Sequence, residues 1–287
     1  MTDSNSKKIK ISTIKRLFCA VILLLLFISP ALAKTDRLSE DYLKNKHHLA
    51  IANPVAEKIA ERVIKKAIKK ETKGHYKVKL EGYTLSSMKK GIFKYLEINS
   101  KNICVEDIEI PYMNMKTITD YNWIDYTKNP IEFRSDITFN YEMHLTEETI
   151  NSALKTKDYQ KTLNKVNKIA YPLFCLTDIK VRIKNNRLHI IMEYNSPVLP
   201  AKKNRTFMVS GDLSVSNGRT KITHIGFDNA YGNLPLNKVV NLVNLIDPLS
   251  FTLDLIDNKK CTGRIEDIKI QENIIIINGK IFIKKEV

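Results

Sequence analysis

The sequence predicts an α+β fold in a single domain: a long, strongly curved antiparallel sheet wrapped around one amphipathic helix. Three observations lead there. From Ile131 to Leu145, Ile131, Phe133, Ile137, Phe139, Tyr141, Met143 and Leu145 alternate with Glu132, Arg134, Asp136, Thr138, Asn140, Glu142 and His144, and only Ser135 breaks the apolar series. A period of two with one wet face marks a half-buried strand of an antiparallel sheet. Unbroken, it would run about 45 to 50 Å at ~3.3 Å per residue, and a strand so much longer than the usual five or six residues has to twist and curl. Second, Val55, Ile59, Val63 and Ala67 recur in steps of four, with Ile64 and Ile68 beside them, as an amphipathic helix requires. Third, the other apolar runs follow one another through tight turns, so crossover connections are not the rule.

In chain order, residues 34–52 read as a polar lead-in and residues 53–287 as the domain. Asn53 caps the helix, Pro54 fits its first turn, and Gly74 ends it. Its remaining positions carry Lys58, Arg62, Lys65, Lys66, Lys69 and Lys70. Such a helix can lie on a membrane surface, but with no Trp or Phe in the stripe the reading favoured is a helix packed on the sheet with a solvated Lys face. Strands are then expected around Tyr76, Val78 and Leu80, over Gly91–Ser100, over Ile103–Pro111 and along the Ile131–Leu145 run. Thr146 caps a helix whose first turn holds Glu147 and Glu148, where the dipole favours them. A second helical piece spans Asp158–Ala170. One hairpin turns at Asn185-Asn186 and another at Asn217-Gly218, both able to take the positive φ that tight hairpins need. Leu236–Ile246 reads as a short helix, and two last strands, Gly263–Ile270 and Ile274–Lys284, meet at Gln271-Glu272-Asn273. No break in composition marks a domain boundary.

The N-terminus reads as an address. Lys7, Lys8, Lys10, Lys15 and Arg16 precede the apolar run Leu17–Ser29, and Pro30 then Ala31-Leu32-Ala33 follow. A basic segment, a short apolar run and an A-x-A exit make residues 1–33 a signal peptide cleaved after Ala33. The alternative, an uncleaved anchor, is disfavoured because the run is shorter than the ~20 residues of a spanning helix. The expected location is therefore the periplasm, cell envelope or extracellular space. Loss of this segment removes five basic residues and one acidic residue, leaving 254 residues at +12 from a chain of 287 at +16. An exported basic protein meets lipid headgroups and wall polymers rather than nucleic acid. Simple solubilisation by lysine accounts for the charge equally well.

No nucleophile–base set, zinc motif or phosphate loop is present, so no catalytic residue, metal site or cofactor is expected. His47 and His48 form the only adjacent histidine pair, in the lead-in, and His144 and His189 fall at wet strand positions. The loop Asp120–Tyr126, with Tyr121, Trp123 and Tyr126 among carboxylates, could stack on a sugar, but packing of its own aromatics is the simpler expectation. Asn204-Arg205-Thr206 is a glycosylation sequon. The mature cysteines, Cys104, Cys175 and Cys261, have spacings of 71 and 86 residues that match no metal pattern; they allow one bridge plus one thiol, or three separate buried thiols.

A sheet curled around a helix leaves a tapered apolar interior that could hold lipid tails, at ~0.8 kcal/mol per buried CH₂; a tight, ligand-free core is the other outcome. The run Gly91-Ile-Phe-Lys-Tyr-Leu-Glu-Ile-Asn-Ser-Lys-Asn-Ile-Cys-Val-Glu-Asp-Ile-Glu-Ile110, after an amphipathic helix, and the strand leading into Leu145-Thr-Glu-Glu-Thr-Ile-Asn-Ser-Ala-Leu154 resemble the LmeA-like phospholipid-binding family of bacterial cell-envelope proteins. The resemblance covers about Asn53 to Lys284 and implies a TULIP-like tubular fold, phospholipid binding and a role in envelope maintenance or lipid carriage. The candidate lipid-lining residues are Val55, Ile59 and Val63 from the helix and Ile137, Phe139, Tyr141 and Met143 from the long strand. Lys65, Lys66, Lys69 and Lys70 are the headgroup candidates. The expected partners are a phospholipid or similar amphiphile and a membrane surface. The alternative is a non-enzymatic envelope scaffold or interaction module with a solid core and a basic surface.

Overall fold

A computed structural model describes residues 54–105, 108–125, 132–170, 175–195, 205–228, 249 and 261–285. The signal peptide, the lead-in, the loop tip at Tyr126, the sequon's Asn204 and the helix expected over Leu236–Ile246 lie outside the described residues. Helix α1 (Pro54–Glu71) leads into β1 (Lys73–Glu81), and the short α2 (Leu85–Lys89) follows. Next come β2 (Ile92–Phe93), β3 (Tyr95–Val105), β4 (Ile108–Thr117), β5 (Asn122–Asp125), β6 (Glu132–Phe133) and β7 (Ile137–Leu145). Helices α3 (Glu147–Leu154) and α4 (Lys157–Ala170) precede β8 (Cys175–Lys184), β9 (Arg187–Asn195), β10 (Arg205–Ser216), β11 (Arg219–Asp228), β12 (Cys261–Gln271) and β13 (Ile274–Ile283).

All pairings are antiparallel, and the class is α+β in one domain. The strands form three sheets rather than one curled around the helix. The largest runs β1-β3-β4-β7-β13-β12, the second β11-β10-β9-β8, and a small one β2-β5-β6. The two larger sheets approach through β10 and β12 and share one apolar core. Its side chains are the inward positions of period-two strands: Ile98 and Ile103 on β3, Met113 and Met115 on β4, Val181 and Ile183 on β8, Ile277 and Ile281 on β13.

The expected strand over Ile131–Leu145 is interrupted. Residues Arg134–Asp136 leave the ladder, because Ser135 Oγ accepts the Trp123 N–H at 2.7 Å and β6 turns aside to pair with β5. Nine residues remain in β7, about 30 Å at ~3.3 Å each, so length no longer forces the sheet to curl. The strands expected at Gly91–Ser100 and Ile103–Pro111 are redrawn as β3 and β4. Against β1 the register slips at Gly74, where Asn102 at φ 50° is the extra residue of β3, a bulge that lets one strand continue where two were expected.

Both sheets have an edge satisfied by helix side chains. Glu61 accepts the Leu80 N–H at 3.0 Å and Glu57 the Gly82 N–H at 2.9 Å, so α1 caps the open edge of β1. On β8, Glu147 accepts the Ile183 N–H at 2.5 Å, Asn151 takes both backbone groups of Val181 (2.8 and 2.9 Å), and Asn167 those of Leu176 (2.8 and 2.9 Å). Side chains here do the work of a missing strand and keep the edge from pairing with another chain. The caps follow the sequence: Thr146 and Thr149 form a capping box at α3. The turns at Asn185-Asn186 and Asn217-Gly218 take positive φ, as does Glu272-Asn273 between β12 and β13.

Candidate functional site

Helix α1 lies along the β1 edge, and its buried face is Ile64, Ala67 and Ile68 with Ala60 beside them. The stripe expected from Val55, Ile59, Val63 and Ala67 does not stay on one face. Steps of four advance the side chain by about 400°, so the series drifts by about 40° per step. Nine residues before Ile64, Val55 is rotated by about 180° and points away from the sheet. Accordingly Val55 and Ile59 are exposed, Val63 is half-buried, and only the last member, Ala67, enters the core. The structure therefore does not bring Val55 and Ile59 together with Ile137, Phe139, Tyr141 and Met143.

Those four β7 residues are at most 3 % exposed. A side chain lining a channel wide enough for an acyl chain would expose surface to a water-sized probe even inside the molecule. Instead, Met143 sits between Met113 and Ile277, Tyr141 between Met115 and Gly279, and Phe139 between Thr117 and Ile281. In the described structure these residues are packed core.

Burial pushes the Tyr141 phenol well above its ordinary pKa of 10, with the Glu266 carboxylate adding to the shift. The folded state holds the neutral phenol, while the unfolded chain ionises it from about pH 10 upward. Its contribution to stability is therefore complete below pH 10 and lost progressively above it. Tyr141→Phe should flatten the alkaline limb of stability, read as the urea midpoint between pH 9 and 11 (about one unit either side of the unfolded phenol). An unchanged slope would contradict the assignment.

The electrostatic feature of α1 is a separation of signs. Glu57 and Glu61 face the β1 edge, each engaged by a backbone N–H, whereas Lys58, Arg62, Lys65, Lys66, Lys69 and Lys70 are exposed. The four expected headgroup lysines, Lys65, Lys66, Lys69 and Lys70, all stand on this outward side. Lys58 and Arg62, expected on the solvated basic face but not among the headgroup candidates, extend the same surface toward the N-terminus of α1, and Val55 and Ile59 lie among them.

Beside α1 a groove of about 770 Å³ runs over the outer face of β1 and β3, lined in part by Glu61, His75, Lys77, Asn99, Lys101 and Tyr112. His75 stands directly across from Lys101, and Lys77 from Asn99. Asn99 Nδ2 donates to the Tyr112 hydroxyl at 3.1 Å, and the Tyr112 ring packs at 4.6 Å from that of His144. The groove thus sets His75, Lys77 and Lys101 beside the carboxylates of Glu61 and Glu97, a surface of mixed charge next to α1. Lys79 at its other end is paired with Glu81 at 2.7 Å.

The Asp120–Tyr126 loop packs its own aromatics as far as it is described. Tyr83, Ile92 and Tyr121 form a buried cluster with Trp123 half-buried against it, and the Tyr83 hydroxyl donates to the Asp120 carbonyl. No disulfide joins Cys104, Cys175 and Cys261; Cys261 is buried and the other two are half-buried. Among the described residues no helix is long and apolar enough to cross a membrane. Comparison with family models, with curated proteins and with solved structures found no match to this chain.

Proposed function

We propose that this is an exported, non-enzymatic cell-envelope module that binds anionic phospholipid surfaces through the outward face of α1. One observation carries the reading: Glu57 and Glu61 are drawn to the β1 edge, which leaves six exposed cations with no carboxylate interleaved among them on that side among the described side chains. Near an anionic bilayer each Lys or Arg contributes about 1 kcal/mol, so a handful of them suffices for reversible docking. Val55 and Ile59 add apolar contact in the same face. The N-terminal address of residues 1–33 supplies the location.

The packed interior between the sheets favours a lipid met at the surface over one enclosed between helix and sheet. A curled, TULIP-like state that carries a lipid inside would need the core to part along Phe139, Tyr141 and Met143. Two measurements separate these readings. The purified chain is expected to pellet with vesicles containing phosphatidylglycerol and not with pure phosphatidylcholine, and to release as salt is raised from 50 to 500 mM, since screening shortens from ~14 to ~4 Å. Native mass spectrometry should show the bare polypeptide mass. Co-purified lipid surviving desalting would instead establish carriage, and binding indifferent to headgroup charge would overturn surface docking.

A further inference from the structure

Every large hydrophobic side chain that is exposed among the described residues lies at one end of the six-stranded sheet. They are Val55 (65 % exposed), Ile59 (55 %), Ile118 (49 %), Leu85 (42 %) and Phe282 (37 %). The register places them there. β1 ends at Glu81 opposite Tyr95, the start of β3; β4 ends at Thr117 opposite Phe139, near the start of β7; and β13 ends at Ile283 opposite Ile137. Ile118 follows Thr117 and donates its N–H to the Thr138 carbonyl, while Phe282 is the cross-strand partner of Thr138 on the other side. Ile118, Thr138 and Phe282 therefore make a row across three strands, about 10 Å from end to end. Leu85 opens α2, directly after β1. The N-terminal half of α1 reaches the same end, because α1 runs antiparallel to β1 and Glu57 engages Gly82.

The same end carries the small sheet β2-β5-β6 and the only tryptophan of the chain, Trp123, paired with Ile92 and half-buried beside Tyr83 and Tyr121. Tryptophan and tyrosine at the margin of an exposed aliphatic patch have the composition of a membrane–water boundary. Exposed Lys58, Lys89, Lys116 and Lys284 surround the patch, against Asp120 and Asp136. Scattered exposed apolar side chains are ordinary; five gathered at one end of a molecule from four separate parts of the chain are not.

We propose that this end is a membrane-inserting tip: it enters the interfacial layer of an anionic phospholipid bilayer and tilts the molecule so that the N-terminal end of α1 lies deepest while its outward face stays on the headgroups. The inference rests on the docking reading above and adds to it a depth and an orientation. The lysine ring selects anionic lipid over a second protein as the occupant, because it would meet phosphate at the level where the aliphatics enter the boundary.

The lone Trp123 is a built-in reporter for the test. The full chain is purified from a secreting host, its N-terminus is fixed by intact mass, and emission is recorded with phosphatidylglycerol vesicles carrying bromine at shallow or deep acyl positions. We expect a blue shift, at least twofold quenching by the shallow label and weaker quenching by the deep one, with neither effect in phosphatidylcholine. A Leu85→Ser/Ile118→Ser/Phe282→Ser variant alters only exposed positions and should lose the blue shift and at least tenfold in vesicle affinity. Should that variant fail to fold, quenching in the unaltered chain decides alone. Pelleting with anionic vesicles while Trp123 stays unshifted would overturn insertion and leave surface docking standing. Failure to pellet at all would overturn both. Emission already blue without lipid and unmoved by it would mean that the patch is covered by the chain itself or by a second copy, and would also overturn the tip.

Discussion

Replacing Lys58, Arg62, Lys66 and Lys69 together by glutamate will abolish binding to phosphatidylglycerol vesicles, with a loss of at least about a thousandfold. The figure follows from ~1 kcal/mol per basic residue near an anionic surface, so that removing four costs about 4 kcal/mol before any repulsion from the new carboxylates is counted. The fold should survive, because all four are exposed and glutamate is as good a helix former as lysine or arginine. Glu57 and Glu61 are untouched, so the β1 edge keeps its acceptors. The control carries the same change in net charge elsewhere: Lys165, Lys184, Lys221 and Lys269 to glutamate, all exposed and none of them on α1. If net charge alone draws the protein to the bilayer, the two variants lose equally. If the face of α1 does so, the control loses less than tenfold. Equal losses, or a loss below tenfold in the α1 variant, would remove the basis of the proposed function.

What the sequence revealed and what it withheld divide along the range of the interactions. The helix at α1, its basic complement, the Thr146 cap and the turns at Asn185-Asn186, Asn217-Gly218 and Glu272-Asn273 are set within a few residues, and each is where local rules put it. The side of α1 that is buried is not local. Two apolar series cross on its surface, and only the position of the β1 edge decides that Ile64 and Ile68 turn inward while Val55 turns out. The break in the long alternating run is of the same kind, since a serine in an otherwise regular series gains its meaning from Trp123, twelve positions earlier. Glu147 was legible as a residue suited to a helix start, but its second role, capping Ile183 on the β8 edge, joins residues 36 apart. Division of the strands into two packed sheets likewise depends on the approach of β10 to β12. The exposed patch is the extreme case: Val55 and Phe282 belong to an expected helix and an expected strand, Leu85 and Ile118 to no expected element, and only the register gathers them.

Gly279 is the position where a single methyl group should do the most damage, and Gly279→Ala is expected to cost about 3 kcal/mol or more, at or above the upper end of ordinary overpacking. The strand pattern gives no warning, because a glycine in the middle of Ile-Ile-Ile-Ile-Asn-Gly-Lys-Ile-Phe-Ile reads as a mere gap in an apolar series. Its place in the sheet shows why nothing larger fits. Gly279 pairs with Ile265 on β12, and the register then slips so that Glu266 is left over as a bulge. On the other side it pairs with Tyr141, whose ring leans across the space a side chain would fill. A Cβ on residue 279 would lie 2.3 Å from the Arg264 carbonyl oxygen and 2.8 Å from the Tyr141 ring and hydroxyl. The ring could swing away at some cost in packing, but the carbonyl belongs to a laddered strand and could yield only by shifting the β12 backbone. A double-variant cycle with Tyr141→Ala therefore separates the two. Tyr141→Ala alone opens a cavity at about 3 to 5 kcal/mol, and adding it to Gly279→Ala should recover only the part of the clash that the ring causes, so the pair remains less stable than Tyr141→Ala alone. Urea midpoints of the four proteins measure all of it. A cost below about 1 kcal/mol for Gly279→Ala, within the range of an unremarkable substitution, would mean that β12 and β13 are not paired in this register.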